Sequence, residues 1–485
     1  MNKWTLEVQN FGKIRNASIE VSPFMIFVGD NNSGKSYIME LLWGLITETD
    51  DIIRNIVHLE GYNDFIERNI NIISSTHETK FKITPELQNE LIYYFNESLK
   101  LQKESFIKKI FNHSITLDNI KIKRKEFLEL EVKVERHQRI FPIDDSEGAQ
   151  EVQVIEGLRV TLILDDKKVS SYIVRDDRSI LLRTVFRRVL YMLIRKDFYN
   201  FYSYPLTFKS RFSYLQPIYF PASRTGFMHT YRAILGNQRN NAEDIEEIDI
   251  EINEEYKNQI AGTNLTLPTI MFLEKLQKLN LDADNQKKYK EELDFLTGNI
   301  LEGKLSKDSF EHFEFVPSNS DVGIPLHVTS SLVAELAPIV MFLSSSYDPD
   351  LWIIEELESH LHPKIQMEVA RFLFHLLNRN KNVWITTHSD SLMQKINNLL
   401  TLSQHPNKNK IIETLNFKSK DILDDVSVVN AYQFSSNNSI TEVEKLELDL
   451  YGYEMPTFNN ALEKLIIETD KIQNIGEDLD GNNRN

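Results

Sequence analysis

The stretch Gly29-Asp30-Asn31-Asn32-Ser33-Gly34-Lys35-Ser36 fits the pattern G-x-x-x-x-G-K-[ST] and follows directly on a strand-like apolar run, Phe24 to Val28. A helical pattern, Ser36 to Ile46, leaves it. A glycine-containing strand-to-helix turn is the plain alternative, but a strand before and a helix after are the context that a phosphate-binding loop requires. In such a loop the backbone N–H groups of Gly29 to Gly34, with the positive end of the following helix, surround a phosphate. Lys35 would reach the β- and γ-phosphates of a nucleotide, and the Ser36 hydroxyl would ligate Mg²⁺.

The chain around this loop has 485 residues, enough for two or three lobes with their own cores. Charged residues make up 26% and the apolar set 41%, an ordinary globular composition. Its longest apolar runs, such as Ala337 to Leu343, fall far short of the roughly 18 residues a membrane span needs. The opening residues, Met1 to Val8, alternate like a strand and hold no signal-peptide stretch, so a cytoplasmic protein with no membrane partner is expected. With no cysteine, disulfides, thiolate metal sites and cysteine nucleophiles drop out. A net charge of -17 opposes indiscriminate adhesion to nucleic acid while leaving room for a local basic surface. Arg183-Thr184-Val185-Phe186-Arg187-Arg188, running on to Arg195 and Lys196, is one candidate. Its apolar residues Leu182, Val185, Phe186, Val189, Leu190 and Leu193 recur at helical spacing, so a core-packed helix with a solvated basic face is the other reading.

Residues 3–9 and 14–21 read as strands joined through Phe11-Gly12-Lys13, and a third, 24–28, feeds the phosphate loop. From about residue 50 the texture changes to long helical patterns, including Pro85 to Phe111. Strand-like alternations follow at 127–135 and 158–174. Pro217 to Phe220 is another apolar strand, leading into Pro221-Ala222-Ser223-Arg224-Thr225-Gly226. Residues 243–255 are markedly acidic, either a solvated loop or a docking site for a basic partner. Helical periodicity returns from Leu267 to about Ile300, and the tail, Gly476 to Asn485, is expected to be disordered. The expected division is therefore 1–49, an inserted helical and β lobe at 50–210, 211–460 with an acidic and helical insertion at about 240–300, and a C-terminal helix and tail at 461–485.

A phosphate loop needs a second, acidic strand end. Leu351-Trp352-Ile353-Ile354 ends in Glu355-Glu356, placing two carboxylates where ligands bind in parallel sheets. The first would hold the Mg²⁺ shell and the second, Glu356, would accept a proton from the attacking water; a solvated strand end is the reading without the loop. In Leu357-Glu358-Ser359-His360-Leu361-His362-Pro363 the histidines could bind a metal, but a tight turn ended by proline in the first helical turn explains them better. Val383-Trp384-Ile385-Thr386-Thr387 is a further strand ending at His388-Ser389-Asp390, where a histidine can reach and sense a γ-phosphate. Thr329-Ser330-Ser331-Leu332 opens an apolar helix. It is either an imperfect capping box or, with serines at a free helix N-terminus, an anion site for a γ-phosphate.

The order of these motifs resembles the ABC-type ATPases of the overcoming-lysogeny (OLD) class, relatives of the Rad50 and SMC heads, many of them parts of bacterial anti-phage systems such as PARIS and Septu. The motifs that carry the resemblance are Asn10-Phe11-Gly12-Lys13-Ile14, Gly29 to Ser36, Pro221-Ala222-Ser223-Arg224, Ser330-Ser331, Ile354 to Pro363 and Thr387-His388-Ser389. It covers residues 1–46 and about 215–460; residues 50–210 match only in texture. It implies an α/β fold, an ABC-type ATPase head with a P-loop parallel sheet, an antiparallel β subdomain and a largely helical inserted lobe. It implies ATP and Mg²⁺ as cofactors, and heads that pair as a homodimer or higher homo-oligomer. Ser330 and Ser331 of one subunit would then complete the site holding Lys35 of the other. Asn32 takes its usual place in the loop, His388 matches the switch histidine, and Arg224 falls in a motif near the nucleotide.

Three departures stand out: Glu355 replaces the usual Asp, Leu332 replaces the signature glycine, and no cluster of acidic metal ligands follows His388. The nuclease domain that follows the ATPase in full-length OLD proteins is thus expected to be absent. The expected function is an ATPase acting as sensor and scaffold for a separately encoded effector, a nuclease, in phage defence, with DNA or a phage protein as trigger. The rival reading is a DNA-binding repair or maintenance ATPase.

Overall fold

The computed structural model describes residues 4–72, 78–144, 150–195, 217–222, 224–230, 264–307, 313–455 and 463–472. The acidic run at 243–255, the tail from Gly476, Ser223 and Lys196 lie outside these residues.

The main sheet has nine strands, in spatial order Asn119–Arg124 (β5), Trp4–Phe11 (β1), Ile14–Glu20 (β2), Ile440–Leu446 (β16), Val429–Asn437 (β15), Phe24–Gly29 (β3), Asn382–Thr387 (β14), Leu351–Ile354 (β13) and Ile218–Phe220 (β9). Strands β1 (Trp4–Phe11) and β2 (Ile14–Glu20) form a hairpin, and β3 (Phe24–Gly29) runs into the phosphate loop. Helix α1 (Lys35–Thr47) leaves that loop. Five strands are mutually parallel: β15 (Val429–Asn437), β3, β14 (Asn382–Thr387), β13 (Leu351–Ile354) and β9 (Ile218–Phe220). Of the other four, β16 (Ile440–Leu446) runs antiparallel to β15 and parallel to β2, while β1 pairs antiparallel with both β2 and β5. The run Phe24 to Gly29 is buried throughout, as a central parallel strand covered on both faces requires. Its alternate residues feed two cores: Met25 and Phe27 join one that includes α1, while Phe24, Ile26 and Val28 join the other.

The segment after α1 is helical in α2 (Thr49–Arg54), α3 (Tyr62–Asn69), α4 (Pro85–Phe111) and α5 (Arg178–Arg195). It also builds a second, antiparallel sheet in the order β4-β6-β7-β8, from Glu78–Ile83, Leu130–Asp144, Gln150–Leu164 and Lys167–Val174. The periodicity over Pro85 to Phe111 corresponds to a single helix, whereas the alternation at 158–174 covers parts of two strands that turn at Asp165-Asp166.

This stretch does not stand apart from the head. Strand β5 (Asn119–Arg124) returns to pair with β1 as the edge of the main sheet. There Asn96 of α4 donates from Nδ2 to the Ile122 carbonyl at 2.9 Å and accepts the Ile122 N–H at 2.8 Å. Three arginines of α5 are engaged by neighbouring elements: Arg183 donates to Asn63, Arg187 pairs with Asp50, and Arg188 stacks over Tyr172 at 3.7 Å. That favours the core-packed reading of this helix.

The second core holds α6 (Leu267–Gln277), α7 (Ser331–Leu343), α8 (Pro363–Asn378) and α9 (Asp390–Gln404). Among the described residues no helix is long and apolar enough to cross a membrane.

Candidate functional site

The loop between β3 and α1 needs its glycines. Gly29 has φ +135°, and a Cβ there would stand 2.0 Å from the Phe434 carbonyl oxygen of neighbouring β15. Gly34 caps α1 in the left-handed region and offers no side chain to the helix N–H groups, which leaves them for an anion. Asn32, also left-handed at φ 58°, is exposed at the loop's tip, while Ser33 is buried.

Lys35 lies 5% exposed. Its Nζ donates to the carbonyls of Gly29 (3.1 Å) and Asp30 (2.7 Å) and to Ser33 Oγ (3.2 Å). Burial pushes its pKa down to about 8, against the pull of Glu356, Asp30, Glu358 and Glu355.

The acidic strand end meets this loop. Glu355 follows β13, and its N–H donates to the Phe220 carbonyl of β9 at 3.0 Å. Burial raises its carboxyl above the usual range, opposed by the hydroxyls of Ser36 and Tyr219 and the backbone of Ala222. Its Oε1 is buried without a hydrogen-bond partner. An orphaned carboxylate oxygen beside the Ser36 hydroxyl fits a divalent cation, which would take its other oxygens from phosphate and water, as Mg²⁺ commonly does. Glu40, in α1, is also buried here; burial and then the nearby Glu355 charge raise its pKa to about 8, while Thr266 donates to it at 2.7 Å.

Glu356 turns out of the strand with φ 41°, held by its N–H to Thr386 Oγ1 at 3.1 Å. His388 Nε2 stands 3.5 Å from Glu356 Oε1, and Ser359 Oγ donates to Oε2 at 3.2 Å. The His388 contact is the largest of the causes that hold this carboxyl below its usual range. His388 is fixed from behind: its N–H donates to Glu358 Oε1 at 2.5 Å, and Ser389 caps α9 while donating to Gln366. Glu358 Oε2, like Glu355 Oε1, is buried and unpartnered. His362 caps α8, its Nδ1 accepting the Lys364 N–H at 3.2 Å with Pro363 opening the helix, as the tight-turn reading expects.

Lys35, Ser36, Glu355, Glu356 and His388 thus converge on one mouth. Arg224, expected near the nucleotide, is fully buried beside the acidic strand end. Its guanidinium donates to the carbonyls of Pro221, Glu355 and Glu356, and it pairs with Glu335 of α7, also fully buried. The fork therefore positions the two acidic residues through their backbone. Ser330 is the cap of α7, its Oγ accepting the Val333 N–H at 3.4 Å, and both Ser330 and Ser331 face solvent. Among the described residues, neither hydrogen-bonds to Lys35, Ser36, Glu355, Glu356 or His388 of its own chain.

Sequence reasoning gave no role to Glu358, Glu40 or Tyr219. A glutamate inside the apolar run Ile38-Met39-Glu40-Leu41 was a signal for the second of these.

Among curated proteins none matches this sequence. The fold is similar to an Smc head solved with the C-winged helix domain of ScpA (12% identity, 93% of this chain and 98% of the other, TM-score 0.33). It is similar also to an SMC head domain from Thermotoga maritima (10%, 92% and 100%, TM-score 0.31). A third is an Smc head domain with an extended coiled coil, bound to the C-terminal domain of ScpA derived from Pyrococcus furiosus (13%, 97% and 99%, TM-score 0.31). The sequence matches the AAA ATPase domain family over residues 3–152 and 233–393. Because this match spans more than half of the sequence and takes in both the phosphate loop and the acidic strand end, the chain belongs to the AAA ATPase domain family.

Proposed function

We propose that this chain binds and hydrolyses ATP with Mg²⁺ at the mouth formed by Lys35, Ser36, Glu355, Glu356 and His388. It pairs head to head with a second copy and serves as sensor and scaffold for a separately encoded nuclease in phage defence. The observation that carries the catalytic part is the convergence of these five side chains, Lys35 and Ser36 at the start of α1 with Glu355 and Glu356 just past β13 and His388 just past β14. The defence role rests on the order of motifs along the sequence.

In this reading Lys35 leaves the Gly29 and Asp30 carbonyls to meet the phosphates, and the α1 N–H groups hold their oxygens. Ser36 and Glu355 supply two oxygens to Mg²⁺, which when bound would neutralise charge on the phosphates. Glu356 is ionised at neutral pH, since its pKa is lowered, and it takes the proton of the attacking water. His388 sits between Glu356 and the γ-phosphate position, where it registers whether that phosphate is present. Ser330 and Ser331, exposed at the start of α7, are available to the mouth of a second copy.

Glu356→Gln tests the chemistry. It should slow hydrolysis by roughly 10²- to 10⁴-fold, as loss of a general base does, with ATP affinity kept. Equal rates in variant and wild type would remove Glu356 as the base. The same variant, purified from its host in Mg·ATP, tests the cellular role. A stoichiometric companion protein that cuts nucleic acid supports the scaffold reading, whereas bound nucleic acid without a protein would favour a maintenance ATPase.

A further inference from the structure

The mouth has a direction. In the sheet, β14 and β13 lie to one side of β3, and β15, β16, β2 and β1 lie to the other. Glu356 and His388 come from the first side, so the γ-phosphate end of a nucleotide faces it. The nucleoside end must then leave the loop toward the β1–β2 hairpin. That hairpin touches the loop directly: a Cβ on Gly34 would stand 2.9 Å from Ile14 Cδ1.

One large ring stands on this side. Tyr37, in the first turn of α1 beside Ser36, is 41% exposed although the rest of α1 from Ile38 onward is buried. It is an exposed ring that is nevertheless held. Phe11 packs against it with centroids 5.9 Å apart, and Phe111 meets it edge-on at 5.6 Å. Gly12, at φ +57° in the hairpin turn, lets the ring edge come within 3.3 Å of where a Cβ would be. Lys13 in the same turn is exposed and forms no ion pair among the described residues, which adds positive charge to the hairpin side of the loop. Buttressed aromatic faces of this kind stack nucleobases, whatever the base, because every base has a π-face.

We infer that Tyr37 is the stacking platform for the nucleobase, an inference that rests on the reading of the mouth as a nucleotide site. Stacking should then contribute to ATP binding but not to the binding of inorganic tripolyphosphate, which has no base. By calorimetry, Tyr37→Ala and Tyr37→Leu should each weaken ATP binding about tenfold, within the span measured for base–aromatic stacking, and leave tripolyphosphate unchanged. Tyr37→Phe should restore ATP affinity to within about twofold, since the π-face and not the hydroxyl is used. Leucine keeps the apolar packing against Phe11 and Phe111, so a loss in that variant is not a folding defect. ATP affinity retained in Tyr37→Leu, equal losses for both ligands, or no rescue by phenylalanine would each overturn the assignment. A wild-type protein that binds neither ligand would instead overturn the nucleotide site itself, and the platform with it.

Discussion

Arg224 offers a way to separate holding the fold from placing the chemistry. Replacing it with methionine leaves the Glu335 carboxylate fully buried with only the Thr225 hydroxyl, 2.6 Å from Oε2, to satisfy it. Breaking a buried pair from one side costs about 3–5 kcal/mol. Replacing both members with apolar residues of similar volume is often neutral, so Arg224→Met with Glu335→Met should recover most of that charge cost. The carbonyls of Pro221, Glu355 and Glu356 still lose their donors, at about 1–3 kcal/mol for a buried group left unsatisfied. The double variant should therefore be more stable than the single one yet remain at least about tenfold slow in ATP hydrolysis, because misplaced catalytic groups cost rate steeply. Urea denaturation can be followed through Trp352 and Trp384, which lie buried in the two strands next to each other beside β3. Steady-state phosphate release gives the rate. A single variant within about 1 kcal/mol of wild type would show that the pair is not held as described. Full hydrolysis by the double variant would show that the fork does not position Glu355 and Glu356.

Burial pushes the Lys35 ammonium down to about 8, below the usual lysine range, and a bound phosphate needs the protonated form. Above about pH 8 binding must take up a proton, so ATP affinity should fall by up to tenfold per pH unit. Lys35→Arg, always charged, should flatten that profile; calorimetry from pH 7 to 9.5 reads both, and a flat wild-type curve refutes the assignment. Gly29→Ala should unseat the loop, since its Cβ would collide with the Phe434 carbonyl and φ +135° strains any side chain. Overpacking and backbone strain together cost about 2–5 kcal/mol. A thermal unfolding midpoint unchanged from wild type would contradict the close approach of β3 to β15.

The site was legible where chemistry is contiguous in sequence. Gly29 to Ser36, Glu355-Glu356 and His388 each sit at the end of an apolar run that could only be a buried strand, so strand order alone brings them together. The contacts of Arg224 were not legible for the opposite reason. Its partners Glu355, Glu356 and Glu335 lie far along the chain, and nothing in Pro221-Ala222-Ser223-Arg224 tells whether a guanidinium meets a ligand or a carbonyl. Glu358 was quoted without a role because its use, holding the His388 N–H, depends on how β13 and β14 register. The helix cap is Ser330 and not its neighbour Ser331, since the capping oxygen is chosen by backbone angles that adjacent serines do not reveal. Strand β5 was missed within the long inserted stretch. Its short Asn119–Arg124 alternation becomes a strand only because β1 is there to pair with it.

The amide of Asn96 has a consequence for how this molecule meets its own kind. By the two-residue repeat of a strand, Ile122 is the middle one of the outward-facing positions on β5, and its donor and acceptor are both taken by one carboxamide. An open strand edge is a template for any passing chain, and fibrils grow by such templating. Here α4 plugs the template at its centre with a side chain that imitates a peptide group. Copies of this protein are thereby steered away from joining sheet to sheet at this border.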